Sequence, residues 1–142
     1  RMNRHYTTED YLRRCGILRE IFDHPAITTD VIAGFPGETE EEFEETRRFL
    51  ETVRFYEMHV FKYSKRQGTR AAVMEDQVSE QVKARRSDVL LELEKTMSRE
   101  YRERFAGSRV SVLFEEAAEI GGKWYMMGHT PQYVRAALPR TE

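Results

Sequence analysis

The chain reads as an α/β unit followed by a long helix and an antiparallel β module, and three features of its sequence carry that reading. The first is the join of a short apolar strand to a capped helix through Gly34-Phe35-Pro36-Gly37. A second strand then follows after a single helix, which asks for a crossover connection. Beyond Gly107, finally, the apolar period changes from the helical three and four to the strand value of two.

Taken in order, Tyr11, Leu12, Cys15, Leu18, Ile21 and Phe22 place an amphipathic helix over Thr8 to Phe22, and His24-Pro25 ends it. Ala26 to Ile32 is the apolar, β-branched kind of run that pairs inside a parallel sheet. Thr39 opens the next helix: its hydroxyl can accept from first-turn amides while Glu42 reaches back to the cap, a capping box. That helix, Glu40 to Val53, buries Phe43, Thr46, Leu50 and Val53 and shows solvent a face of glutamates and arginines. Glu57 to Tyr63 supplies the second strand, expected parallel to the first through a right-handed crossover. The order α, β, α, β belongs to part of a larger wound sheet or barrel.

Ser64 to Val78 carries Gly68 and a polar run and reads as a loop. Ser79 caps a long helix ending near Phe105, with an apolar stripe of Val82, Val89, Leu90, Leu93, Met97, Tyr101 and Phe105 and with Gly107 as its C-terminal cap. In the β module Val110, Val112 and Phe114 alternate, Gly121-Gly122 turns the chain, and Trp124, Met126, Val134, Ala136 and Leu138 continue the pattern. Three strands leave open edges, so a small closed barrel needs more chain than this. The boundaries follow: residues 1–78, a connector helix 79–106, and a β domain 107–142.

A chain of 142 residues suits one domain or two small ones, and its net charge of −2 gives no global attraction to nucleic acid or membrane. No apolar run reaches membrane-spanning length and no signal peptide is visible. One cysteine excludes an internal disulfide framework and fits a reducing compartment, so cytoplasm is the expectation. The start at Arg1, without an initiator methionine, suggests a piece of a longer protein.

In a β/α unit ligands collect at the carboxyl ends of the strands, which points to Ala33 to Glu38 and to the bend after Tyr63 as neighbouring rims of one pocket. Around the first rim, Glu38, Glu40, Glu41, Glu42, Glu44 and Glu45 suit the positive end of a helix dipole and would repel a phosphate, so a dinucleotide or P-loop reading is rejected. Glu38, inside the loop, is the one with a candidate functional role. At the second rim Lys62, Lys65, Arg66 and Arg70 stand beside Tyr63 without an interspersed acid. They read either as solvated surface or as a grip on a phosphate backbone with an aromatic for base stacking. Cys15, on an apolar helix face, reads as a buried inert thiol. His5, His24, His59 and His129 show no metal-ligand spacing, and no nucleophile elbow or catalytic triad is present.

Three blocks together, Met2 to Thr7, Thr28 to Thr39 and His59 to Arg70, resemble the last part of the radical SAM domain of the tRNA methylthiotransferases, a partial TIM-like barrel. Gly107 to Leu138, with Gly128-His129-Thr130-Pro131-Gln132-Tyr133-Val134-Arg135, is similar to the small RNA-binding TRAM barrel that ends those enzymes. The form His59-Val60-Phe61-Lys62-Tyr63-Ser64-Lys65-Arg66 looks most like the branch acting on threonylcarbamoyladenosine.

The resemblance implies addition of a methylthio group to C2 of a hypermodified adenosine beside the tRNA anticodon, with S-adenosylmethionine and two 4Fe-4S clusters as cofactors and tRNA as partner. It implies cofactor contacts from Asp30, Val31, Ile32, Gly34, Phe35, Phe61, Tyr63 and Ser64. RNA contacts are expected from Lys62, Lys65, Arg66 and Arg70, and in the β domain from Trp124, Tyr133 and Arg135. Arg4 matches a recurring arginine of unassigned contact. The departures are as informative: the C-x-x-x-C-x-x-C motif and the other cluster cysteines are missing, and Cys15 cannot replace several converging thiolates. The chain alone should be catalytically silent, with no metal site. The β domain looks short after Leu138 and its charge is balanced, Arg109, Lys123, Arg135 and Arg140 against Glu115, Glu116, Glu119 and Glu142. An RNA-binding module without catalysis stays open as the alternative, as does a radical SAM enzyme of another branch, which the β module disfavours.

Overall fold

A computed structural model describes residues 2–140 of the chain. Arg1 and Glu142 lie outside the described residues, so the place of Glu142 in the charge balance is untested. The order is α1 (Thr8–Ile21), β1 (Thr28–Ala33), α2 (Glu40–Val53), β2 (Glu57–Lys62), a 3-10 turn at Arg70–Val73, α3 (Glu80–Glu103), β3 (Leu113–Ile120), β4 (Lys123–His129) and β5 (Arg135–Pro139).

Local chemistry sets the helix starts. Thr39 accepts from the Glu42 amide at 3.2 Å while the Glu42 carboxylate accepts from the Thr39 amide at 3.0 Å, closing the expected capping box. The same device starts α1, where Thr7 and Asp10 exchange bonds of 3.1 and 3.3 Å. Ser79 caps α3 through the Val82 amide.

β1 and β2 pair in parallel, from Thr28 opposite Glu57 to Ala33 opposite Lys62. Val31, Ala33 and Met58 point to one face, where they meet Phe43, Leu50 and Val53 of α2, Phe55, and Leu90 and Met97 of α3. Asp30 and Ile32 lie opposite His59 and Phe61 on the other face, where Ile32 is 37% and Phe61 51% exposed. The sheet is therefore covered on one side only. A closed TIM-like barrel is not formed by these two strands.

α1 buries only Cys15, with Tyr11 packed edge-on to Phe49 and Phe55. Leu12, Leu18, Ile21 and Phe22 of its expected apolar face stay exposed, because α1 meets the rest of the fold along a narrow contact with α2. On α3 the buried positions are Lys83, Arg86, Ser87, Leu90, Met97, Ser98 and Tyr101. Val89, assigned to the stripe from the sequence, is exposed, while two basic residues are inside.

The β module is a meander in the order β3-β4-β5. Gly121 and Gly122 both take positive φ, 57° and 77°, the requirement of a two-residue hairpin turn between Ile120 and Lys123. The strand expected from Val110 begins only at Leu113, and a bulge between Phe114 and Glu116 interrupts its alternation. Val134 lies in the β4–β5 turn rather than in a strand, and Gly107, with φ 75°, falls three residues beyond the observed cap Arg104. The sheet stays open, with Trp124 and Leu138 more than half exposed, so no barrel closes.

A second cluster of Tyr56, Tyr101 and Val134, flanked by Ala26 and Phe105, docks this module. The rings of Tyr56 and Tyr101 lie 4.4 Å apart, and Tyr101 Oη donates to the His24 carbonyl at 2.6 Å. Burial raises both phenol pKa values. Truncating Leu90, which is fully buried, to alanine should lower unfolding free energy in urea by about 2–5 kcal/mol. Val89→Ala one residue away should stay within about 0.5 kcal/mol.

Candidate functional site

The turn after β1 is fastened at each of its residues. Gly34 has φ 74°, open to glycine without strain, and its amide donates to the Glu38 carboxylate at 2.8 Å. Pro36 is fully buried, the Gly37 amide donates to the Asp76 carbonyl at 2.6 Å, and the Glu38 amide donates to the Phe35 carbonyl at 2.9 Å. The Tyr63 amide donates to the Ala33 carbonyl at 2.9 Å, holding the two strand ends level. Phe35 then meets the Tyr63 ring edge-on at 5.4 Å. The two rims named from the sequence are neighbours.

α3 closes the arrangement from behind. Arg86, whose side chain is 4% exposed, donates to the Glu38 carboxylate at 2.6 Å, to the Glu38 carbonyl at 3.0 Å and to Glu40 at 3.1 Å. Hydrogen bonds from Arg85 first, then Arg86, hold the Glu40 carboxyl below the usual range. The Lys83 stem crosses Gly34 so closely that an added Cβ would lie 2.4 Å from Cγ. Its Nζ pairs with Glu80 at 2.8 Å and sits 5.3 Å from the centre of the Tyr63 ring. Tyr63 Oη and Arg86 Nε are buried without a hydrogen-bond partner among the described residues.

These positions sort the sequence expectations. Asp30, Ile32 and Phe61 lie on the bare face of the sheet. Val31 faces the helix-packed core at 8% exposure, so its side chain is turned away from that face. Gly34, Phe35 and Tyr63 form the adjoining rim, and Ser64 leads into a cleft of about 690 Å³ lined by Lys62, Lys65, Ser79 and Lys83 among others. Glu38, the glutamate singled out from the sequence, is engaged inside the fold by the Gly34 amide and Arg86.

Lys62, Lys65, Arg66 and Arg70 are exposed and form no ion pair among the described residues. Trp124 and Tyr133 are exposed on the β module, whereas Arg135 is tied to Glu116 at 2.7 Å. Tyr56 Oη donates to the Tyr133 carbonyl, which puts Tyr133 at the amino end of β2. The basic loop leaves the carboxyl end of that strand, about 20 Å away. The two sets of expected RNA contacts are thus not brought together.

Lys83 and Arg86 are the residues that sequence reading missed. Their phase held the signal: Lys83, Leu90 and Met97 are spaced by sevens and share a face of α3. As for clusters, no group of three or more His, Cys, Asp or Glu able to hold a metal exists among the described residues. Cys15 is buried, with its thiol pKa raised by desolvation. These residues do not fit an iron–sulfur ligand set.

The class comes from the amino-terminal third: the profile of the Radical SAM superfamily matches residues 1–50, through β1, its glycine turn and most of α2. Whole-chain similarity narrows it. A tRNA-2-methylthio-N(6)-dimethylallyladenosine synthase of Acetivibrio thermocellus is 48% identical over 86% of this chain and 25% of its own length. The threonylcarbamoyladenosine tRNA methylthiotransferase MtaB of Bacillus subtilis is 43% identical over 100% of the chain and 32% of its own. A synthase of Thermobifida fusca with the same name as the first is 50% identical over 81% of the chain and 23% of its own. The chain belongs to the radical SAM tRNA methylthiotransferase family. It spans about a quarter to a third of the length of these relatives.

The buried thiol yields a direct check. In native protein at pH 8, Cys15 should show no fast reaction with a soluble disulfide reagent, and one equivalent per chain should react once denaturant is added.

Proposed function

We propose that this chain is the part of a tRNA methylthiotransferase that completes the S-adenosylmethionine site and reaches the tRNA, with threonylcarbamoyladenosine beside the anticodon as the substrate nucleoside. The observation carrying this reading is the MtaB relative, which matches the chain from end to end. A second reading, in which the nucleoside is dimethylallyladenosine, is favoured by the higher identities of relatives named for that product. In either case residues 1–78 complete a radical SAM domain, 79–106 connect, and 107–142 form a TRAM-like RNA-binding unit.

The bare face of β1 and β2 supports the cofactor role. Ile32 and Phe61 form an apolar pair on that face on which a flat ring could lie, and Asp30 and His59 edge it with polar groups. S-adenosylmethionine and two 4Fe-4S clusters would supply radical, methyl and sulfur chemistry in the complete enzyme. This chain contributes walls and no cluster ligand, and alone it is catalytically silent. The unpaired cations of the loop after Tyr63 supply the phosphate contacts. Among the described residues no helix is long and apolar enough to cross a membrane, and a tRNA substrate supports the reading of a cytoplasmic enzyme.

The test is the complete polypeptide reconstituted with iron and sulfide, followed by mass spectrometry of tRNA nucleosides; methylthio-threonylcarbamoyladenosine supports the first reading and the dimethylallyl product the second. Replacing Lys65 and Arg66 together by alanine should reduce tRNA modification while sparing S-adenosylmethionine cleavage. It should also flatten the slope of log affinity for tRNA against log salt by about 2.

A further inference from the structure

The Glu38–Arg86 pair is more elaborate than stability alone requires. A buried ion pair contributes little net stability, because desolvation offsets the attraction, and apolar residues of similar volume do as well. Here the cost is greater still, since Arg86 Nε is buried without a hydrogen-bond partner among the described residues. What the pair does supply is direction. The carboxylate of Glu38 takes the Gly34 amide at 2.8 Å and the Arg86 guanidinium at 2.6 Å, and Arg86 returns a bond to the Glu38 carbonyl at 3.0 Å. Both ends of the turn are thereby tied to one side chain of α3. Lys83 adds a steric stop over Gly34, and its Nζ lies near the face of Tyr63.

We propose that Glu38 and Arg86 are positioning residues, which lock the Gly34–Glu38 turn so that Phe35 buttresses Tyr63 and the carboxyl ends of β1 and β2 present one fixed rim to the cofactor. The inference rests on the reading that the bare face beside this rim receives S-adenosylmethionine. Glu38 and Arg86 are engaged with each other inside the fold. Both act through the backbone of Gly34 and the packing of Phe35 on Tyr63.

The consequence is a split between binding and turnover. Glu38→Gln keeps an acceptor for the Gly34 amide but removes the charge facing Arg86, so the turn gains alternatives that must be frozen out on binding. In the reconstituted complete enzyme this variant should raise KM and the equilibrium dissociation constant for S-adenosylmethionine about tenfold, leaving kcat within about twofold. Amide exchange in the peptide covering 34–38 should accelerate while that of α1 stays unchanged. Arg86→Lys keeps the charge and loses the fork, so it should give a smaller shift in the same direction, and it carries the test if Glu38→Gln does not fold.

Faster exchange with unchanged cofactor affinity would overturn the proposal, as would equal loss of kcat and affinity with exchange raised throughout the chain. Phe61→Ala separates this from failure of the underlying reading. If Phe61→Ala weakens cofactor binding and the turn variants do not, only the positioning role falls. If Phe61→Ala also leaves binding unchanged, the bare face is not the cofactor wall and both fall.

Discussion

The one-sided covering of the β1–β2 pair is the constraint from which the rest of the structure follows. A parallel pair carries apolar side chains on both faces and is stable when both are buried. Here Val31, Ala33 and Met58 are sealed by α2 and α3, whereas Ile32 and Phe61 meet solvent. The turns at the strand carboxyl ends form the rim of that uncovered face. That geometry places the glycine turn, Tyr63 and the basic loop around one opening.

α3 gives the fold its second organising feature, because its buried face changes chemistry along its length. Toward the N-terminus Lys83 and Arg86 grip the turn after β1; in the middle Leu90 and Met97 seal the sheet; toward the C-terminus Tyr101 stacks on Tyr56 and holds the β module. One helix thus sets the position of the rim after β1 and β2 and the attachment of the β module. The ends of β2 mark the separation, with the basic loop at one and Tyr133 at the other.

Elements governed by local rules were legible in the sequence. The Thr39–Glu42 box and the Gly121-Gly122 hairpin each depend on a few neighbouring residues, and the parallel β1–β2 pairing follows from the single-helix crossover between the strands. Features set by tertiary contact were not. Val89 resembles a core residue and is exposed, and Arg86 resembles a surface residue and is inside, because only the approach of Glu38 from 48 positions away decides which side of α3 is covered. Val31 and Ile32 both lie in the run expected to meet the cofactor, and the strand period of two sends their side chains to opposite faces. The bulge after Phe114 was invisible because alternation alone cannot show which residue lacks a partner.

The central claim is that the uncovered face of β1 and β2 is the cofactor wall. Photo-crosslinking of an azido-adenosyl analogue of S-adenosylmethionine to the complete reconstituted protein, with the adducts mapped by peptide mass spectrometry, tests it most directly. Adducts are expected in the peptides holding Asp30 to Phe35 and His59 to Ser64, and to be displaced by unmodified S-adenosylmethionine. Displaceable labelling confined to α1, α2 or the β module, with both strands untouched, would contradict it.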